Sequence, residues 1–200
     1  MEEKIDIIKG WLKSGSINIF GLPMSGKDTV GKRLAELLGA EFLSSGDIIR
    51  EYESRQNDHM TENGELIPTN KFYDIVLPHF FSEELIDKPL VLSSIGRWEG
   101  EEDEVIKNAK DSGHEIKAVV YLKLSEDNVR NRWVAAKELG DRGVRGDDAD
   151  PKVFETRIEE FYEKTIPVLK HYNQLGLLVE VDASLTRDEV FNNVINALIK

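Results

Sequence analysis

Cysteine is absent from all 200 residues, which excludes disulfides and any cysteine-based zinc site. That absence accords with a reducing compartment, and the cytoplasm is the expected location. Long apolar runs are missing too, and the acidic start Met1-Glu2-Glu3 lacks the basic region of a secretory signal, so no membrane association is expected. Positive charge is scarce: 26 Lys and Arg against 38 Asp and Glu give a formal net charge of -12. A field of that sign repels polyanions, so no nucleic-acid polymer is an expected partner, and a phosphate ligand needs a local cluster of Lys and Arg. Repeats, low-complexity tracts and long linkers are also lacking. The four histidines, His59, His79, His114 and His171, are scattered without metal-ligand spacing. At 40% hydrophobic and 32% charged, the chain has the composition of an ordinary globular protein of one domain.

Against this background one segment carries chemistry. Phe20-Gly21-Leu22-Pro23-Met24-Ser25-Gly26-Lys27-Asp28-Thr29 follows a strand-like Ile17–Phe20 and leads into Val30, Leu34, Leu37 and Leu38, apolar at helical spacing. Gly21, Gly26 and Lys27 fit the phosphate-binding pattern G-x-x-x-x-G-K in the strand–loop–helix context it requires. Small residues let backbone N–H groups turn inward around phosphate oxygens, and the helix N-terminus adds partial positive charge. Lys27 supplies a mobile point charge. A plain glycine-containing turn is the bland alternative.

Further strand-like segments at Glu41–Leu43, Pro89–Ser93, Lys117–Leu124 and Leu177–Val181 alternate with helical patterns, which argues for a parallel sheet with right-handed crossovers. Residues 1–15 read as an additional amphipathic helix with Ile5, Ile8, Trp11 and Leu12 on one face. Two segments break the alternation: Gly46 to Lys88, with a turn at Glu62-Asn63-Gly64, and the Gly-rich, charged stretch from Leu139 to Pro151. They are candidate inserted lobes, or ordinary surface loops.

Four ordered segments resemble the adenylate kinase family of nucleoside monophosphate kinases. Gly21 to Thr29 is similar to that family's G-x-P-G-S-G-K-G-T loop, and Ser45-Gly46-Asp47-Ile48-Ile49-Arg50 to its T-G-D-x-x-R segment. Gly64-Glu65-Leu66-Ile67-Pro68 resembles the turn that contacts the acceptor base; Arg145-Gly146-Asp147-Asp148, then Arg157, resemble the lid and its return helix. The resemblance implies a single α/β P-loop domain: a five-stranded parallel sheet with helices on both faces, a monophosphate-binding lobe at 46–88 and a short lid at 139–151. It implies a cytoplasmic monomer that transfers a phosphoryl group reversibly from ATP to a nucleoside monophosphate, AMP favoured, with Mg²⁺. Other acceptors (GMP, CMP, UMP), a small metabolite, or a binding protein with weakened turnover stay open. Gly21, Met24, Ser25, Gly26, Lys27, Asp28, Thr29 and Arg132 are implied to bind ATP. Ser45, Arg50, Leu66, Ile67, Arg97, Glu101, Arg145 and Arg157 are implied to bind the monophosphate. Lys27, Arg97, Arg132, Arg145 and Arg157 are the catalytic candidates; Lys137 and Arg142 are weaker ones in the lid.

The chain departs from that pattern in four places. Met24 and Asp28 replace loop glycines, and Asp28 brings a carboxylate toward the phosphates. Ser93-Ser94-Ile95-Gly96-Arg97 stands where the family has D-G-F-P-R, so the acid that orders water around Mg²⁺ is a serine. No residue is expected to bind the metal directly; Asp47, and Asp28 in place of the lost acid, are candidates for contact through water. Glu101 replaces a base-reading glutamine; it favours paired N–H donors such as those of guanine, or else is a solvated charge on a helix face.

Overall fold

The computed structural model describes residues 1–139 and 150–199. Strands β1 (Ser16–Gly21), β2 (Glu41–Ser44), β3 (Leu90–Ser93), β4 (Ile116–Lys123) and β5 (Leu178–Asp182) form one sheet in the order β2-β3-β1-β4-β5. All pairings are parallel. Each expected strand is present, its bounds moved by one residue. β1 and β3 are buried along their whole length, as central strands covered on both faces must be, whereas the edge strands β2 and β5 are partly exposed.

Helices α1 (Glu2–Leu12), α2 (Lys27–Leu38), α3 (Ser45–Gln56), α4 (Thr69–Ile75), α5 (Glu101–Asp111), α6 (Glu126–Leu139), α7 (Pro151–Glu160), α8 (Ile166–Gln174) and α9 (Arg187–Leu198) surround the sheet. The β1-to-β2 connection runs one way along the sheet, and those from β2, β3 and β4 run the other way. Right-handed crossovers therefore put α2 on one face and α3 to α8 on the other. The chain reverses direction between the neighbours β1 and β3, so a crevice opens at their carboxyl ends, where α/β sheets take ligands.

The stretch from Gly46 to Lys88 holds most of α3, then α4 and two 3₁₀ turns. Its expected turn forms: Gly64 has φ +83°, and a Cβ there would lie 2.5 Å from Val153 O, so the turn presses on α7. Most of the expected lid, including Arg142 and Arg145, lies outside the described residues. No described helix is long and apolar enough to cross a membrane.

α1 is part of the core. Ile5, Ile8 and Leu12 are buried, α1 packs on α2 and α9, and Trp11 Nε1 donates to Leu198 O at 3.1 Å. Ile8→Ala is expected to cost about 2–5 kcal/mol in urea unfolding. A loss below about 0.5 kcal/mol, the range of neutral surface changes, would mean that α1 is an appendage.

Candidate active site

β1 ends at Gly21, and the chain turns through Leu22-Pro23-Met24-Ser25-Gly26 into α2. The turn is closed by Ser25 N–H donating to Leu22 O at 3.1 Å. Gly21 has no room for a side chain: a Cβ would meet Ser25 Oγ at 2.4 Å. Met24 sits at φ +63° and Gly26 at φ +89°. The loop therefore keeps a left-handed residue where glycine was replaced, and Met24 bears a strain of roughly 1–2 kcal/mol. α2 opens at Lys27 with its first N–H groups directed at the end of the loop, an anion site by construction.

The two acid-changing departures meet here. Ser93 Oγ donates to Asp28 Oδ1 at 2.6 Å, across 65 residues of sequence. Ser93 belongs to β3, opposite Ile19 of β1, and Asp28 to the first turn of α2.

A cleft opens beside the loop, and Thr29, the residue after Asp28, is part of its wall. It is lined by Met24, Gly26, Thr29, Arg33, Arg132 and Phe191 among others. Arg132 bonds the carbonyls of Met24 (3.3 Å) and Ala183 (2.6 Å), so it ties the loop to the segment after β5. Arg33 lies 4.1 Å from the Phe191 ring centroid and pairs with Asp188 at 2.6 Å. Sequence reasoning missed Arg33, Phe191 and the Leu185–Arg187 segment; the position of that segment just after the last strand of a parallel sheet was the available signal.

A second cleft, which takes in Ser94, gathers Ser45, Arg50, Leu66, Ile67, Arg97, Glu101 and Arg157, every acceptor-side candidate within the described residues. Thr61 and Phe72 line it too and were not anticipated. Burial, and then the charge of Arg157, lowers the pKa of Arg97 to about 10, so it stays charged at neutral pH. Arg50 pairs with Asp47 at 2.5 Å, so these two candidates engage each other. Ser45 Oγ donates to Ser94 O at 2.7 Å and fixes the start of α3 to the end of β3.

Glu101 is not a solvated charge. It is 3% exposed, and its Oε2 accepts from Arg97 N at 2.9 Å and Trp98 N at 3.0 Å. Burial pushes its pKa up against those hydrogen bonds. Trp98 takes part in packing: Lys164 Nζ lies 3.9 Å from its ring centroid. Lys164 in turn pairs at 2.7 Å with Glu160, whose Oε2 also accepts from Leu66 N at 2.9 Å. This network joins the turn, the β3 loop and the helix leaving α7 around one cleft. In sequence it is visible only as an i,i+4 Glu–Lys pair.

A family model described as an AAA domain matches residues 20–152. The adenylate kinase of Schistosoma mansoni is 32% identical over 196 residues, 94% of this chain and 94% of its own. This chain belongs to the adenylate kinase family. Adenylate kinases of Thermus thermophilus (27% over 189 residues, 92% of this chain and 96% of theirs) and Thermotoga maritima (26% over 208 residues, 89% and 94%) agree.

Within this adenylate kinase fold Glu160 is almost wholly buried, with its side chain 11% exposed. Glu160→Ala leaves the Leu66 N–H without its acceptor and should cost about 1–3 kcal/mol. Glu160→Gln, which keeps an acceptor oxygen, should recover most of that in the same urea titration; equal losses for the two would mean that the bond to Leu66 contributes nothing.

Proposed function

We propose that the protein catalyses reversible, Mg²⁺-dependent phosphoryl transfer from ATP to a nucleoside monophosphate, with AMP the favoured acceptor. One observation carries this reading: a cleft at the phosphate loop takes in Thr29, the residue after Asp28, a cleft holding three arginines takes in Ser94, the residue after Ser93, and Ser93 and Asp28 are hydrogen-bonded to each other. Two nucleotides seated there would face each other end to end, the alignment that phosphoryl transfer demands.

In this reading the loop amides, Lys27 and Thr29 hold the ATP phosphates, and Arg132 and Arg33 border the rest of that nucleotide. Arg97, Arg157 and Arg50 take the acceptor's phosphate; the planar guanidinium suits bidentate contact and never loses its charge at neutral pH. Among the described residues no three metal-capable side chains gather, so the fit is to Mg²⁺ held chiefly by phosphate oxygens and water, with Asp28 and Asp47 as candidate water contacts. The bound ion would offset charge on the transferring group. Residues 46–88 serve as the acceptor lobe and 139–151 as the lid, with Arg145 and Arg142 brought over the phosphates. A monomer in the cytoplasm belongs to the same reading, its location supported by the cysteine-free composition.

GMP is the second reading, favoured by the buried carboxylate of Glu101 in the acceptor cleft. An ionised carboxylate only accepts hydrogen bonds, which matches the adjacent N1–H and N2–H₂ of guanine and opposes N1 of adenine. A coupled assay of ATP consumption with AMP, GMP, CMP, UMP and dTMP ranks the acceptors. No ADP from any of them would overturn the enzyme reading.

Lys27→Met should lower kcat by a hundredfold or more, about 3 kcal/mol of transition-state stabilisation, with an unchanged thermal transition. Turnover within a few-fold of the parent would remove Lys27 from the chemistry. Glu101→Gln keeps an oxygen for Arg97 N and Trp98 N but turns the rest of the head group into a donor. It should raise kcat/KM for AMP relative to GMP about tenfold, within the 1–3 kcal/mol expected of one unpaired polar group. An unchanged ratio would leave Glu101 as a holder of the Arg97 loop only.

A further inference from the structure

Asp28 and Ser93 are the two positions at which this chain rearranges its acids, and they are in hydrogen-bond contact at 2.6 Å. Asp28 is the second residue of α2, so its carboxylate lies at the positive end of the helix, where phosphate would also be drawn. Two anions competing for one helix end repel. A pair of unit charges 4 Å apart costs about 1 kcal/mol in water and about 4 kcal/mol at the effective dielectric of a protein surface. A carboxylate at this place therefore opposes polyphosphate unless a cation, a divalent metal ion or an arginine, offsets its charge.

We propose that Asp28 is the carboxylate that orients the water shell of a divalent cation bound with the nucleotide's phosphates, and that the Ser93 hydroxyl holds it in position. The acid has moved from the end of β3 to the first turn of α2. This rests on the nucleotide-kinase reading above.

The two substitutions form a matched set. β3 and β1 are paired with Ser93 opposite Ile19, so the end of β3 lies beside the strand that feeds the phosphate loop. Ser93 is 2% exposed, and an aspartate there would set a second carboxylate against Asp28 in a buried place. One of the two would then have to take up a proton. With serine, the same position supplies a donor. Asp47 lies on the first turn of α3, which follows Ser44, and Ser44 is paired with Ser93 on the neighbouring strand. Mg²⁺ keeps several waters and takes one or two carboxylates, so Asp28 alone suffices beside the phosphate oxygens; Asp47 is already paired with Arg50.

The test is binding, measured by calorimetric titration of ATP with Mg²⁺ or with EDTA. In the parent, Mg²⁺ should strengthen ATP binding strongly. In Asp28→Asn the repulsion is gone, so metal-free ATP should bind tighter and the enhancement by Mg²⁺ should shrink about tenfold or more, as loss of one close charge pair implies. The exchanged variant Asp28→Gly/Ser93→Asp should restore the parent's enhancement. Thermal unfolding of each variant without ligand confirms that it is folded. An enhancement in Asp28→Asn within threefold of the parent, or no recovery in the exchanged variant, would overturn the inference while leaving the kinase reading standing. No ATP binding by the parent in either buffer would overturn the kinase reading, and this inference with it.

Discussion

Strands β1 and β3 run side by side and parallel, with Ile19 opposite Ser93 and Ser94 N–H donating to Ile19 O at 2.9 Å, and the rest of the site depends on that pairing. Their connections leave in opposite directions, so neither helix that follows covers the crevice between them. The loop from Gly21 to Gly26 fills one side of it. Ser94 and Arg97, continuing from β3, line the other. Ser45 bonds to Ser94 O and adds α3 to the same edge. Three segments distant in sequence thus present a loop, a helix end and a set of arginines to one crevice, and a shift in strand register would separate them.

Charge decides what the crevice accepts. The chain as a whole carries -12, yet Arg157 stands close enough to Arg97 to disfavour its charge. The pKa of Arg97, brought down to about 10, is a measure of the burial and like-charge repulsion present before a ligand arrives. An anion brought beside Arg97 would favour its charged form and move that pKa back up. Glu101 acts in the same direction in the free protein, since its charge also favours ionised Arg97. The acidic remainder of the surface repels anions that fail to reach the cluster.

The sheet was legible in sequence because short apolar runs bounded by glycine, proline and polar residues leave little else for Ile17–Phe20 or Leu90–Ser93 to be. The phosphate loop was legible because its chemistry needs fixed residue types at fixed spacing. Met24 shows the limit: the sequence says that a glycine is missing, and only the backbone says that the left-handed conformation is retained at φ +63°. The contacts of Glu160 with Leu66, and of Glu53 with Thr61 N at 2.7 Å, depend on where two segments dock, which no periodicity encodes. The same holds for the Asp28–Ser93 bond. Composition identifies both residues as departures, but proximity across 65 residues is a property of the fold.

Glu101 poses the sharper question of why a charge is kept where a neutral group would serve. Its two bonds to Arg97 N and Trp98 N need only an acceptor oxygen, which a glutamine also has. Burial raises the carboxyl's pKa, so near neutral pH the ionised side chain lowers stability relative to the unfolded chain, and protonation on acidification relieves that cost. Holding the loop therefore does not account for the charge. The first turn of α5, where Glu101 stands beside Glu102, Asp103 and Glu104, offsets part of it through the helix end, which the four acids share. What favours the charge is the Thr69 side chain and, besides it, the guanidinium of Arg97. A buried carboxylate that is costly to its own fold is kept charged by these two neighbours, one of which, Arg97, lines the same cleft as Glu101.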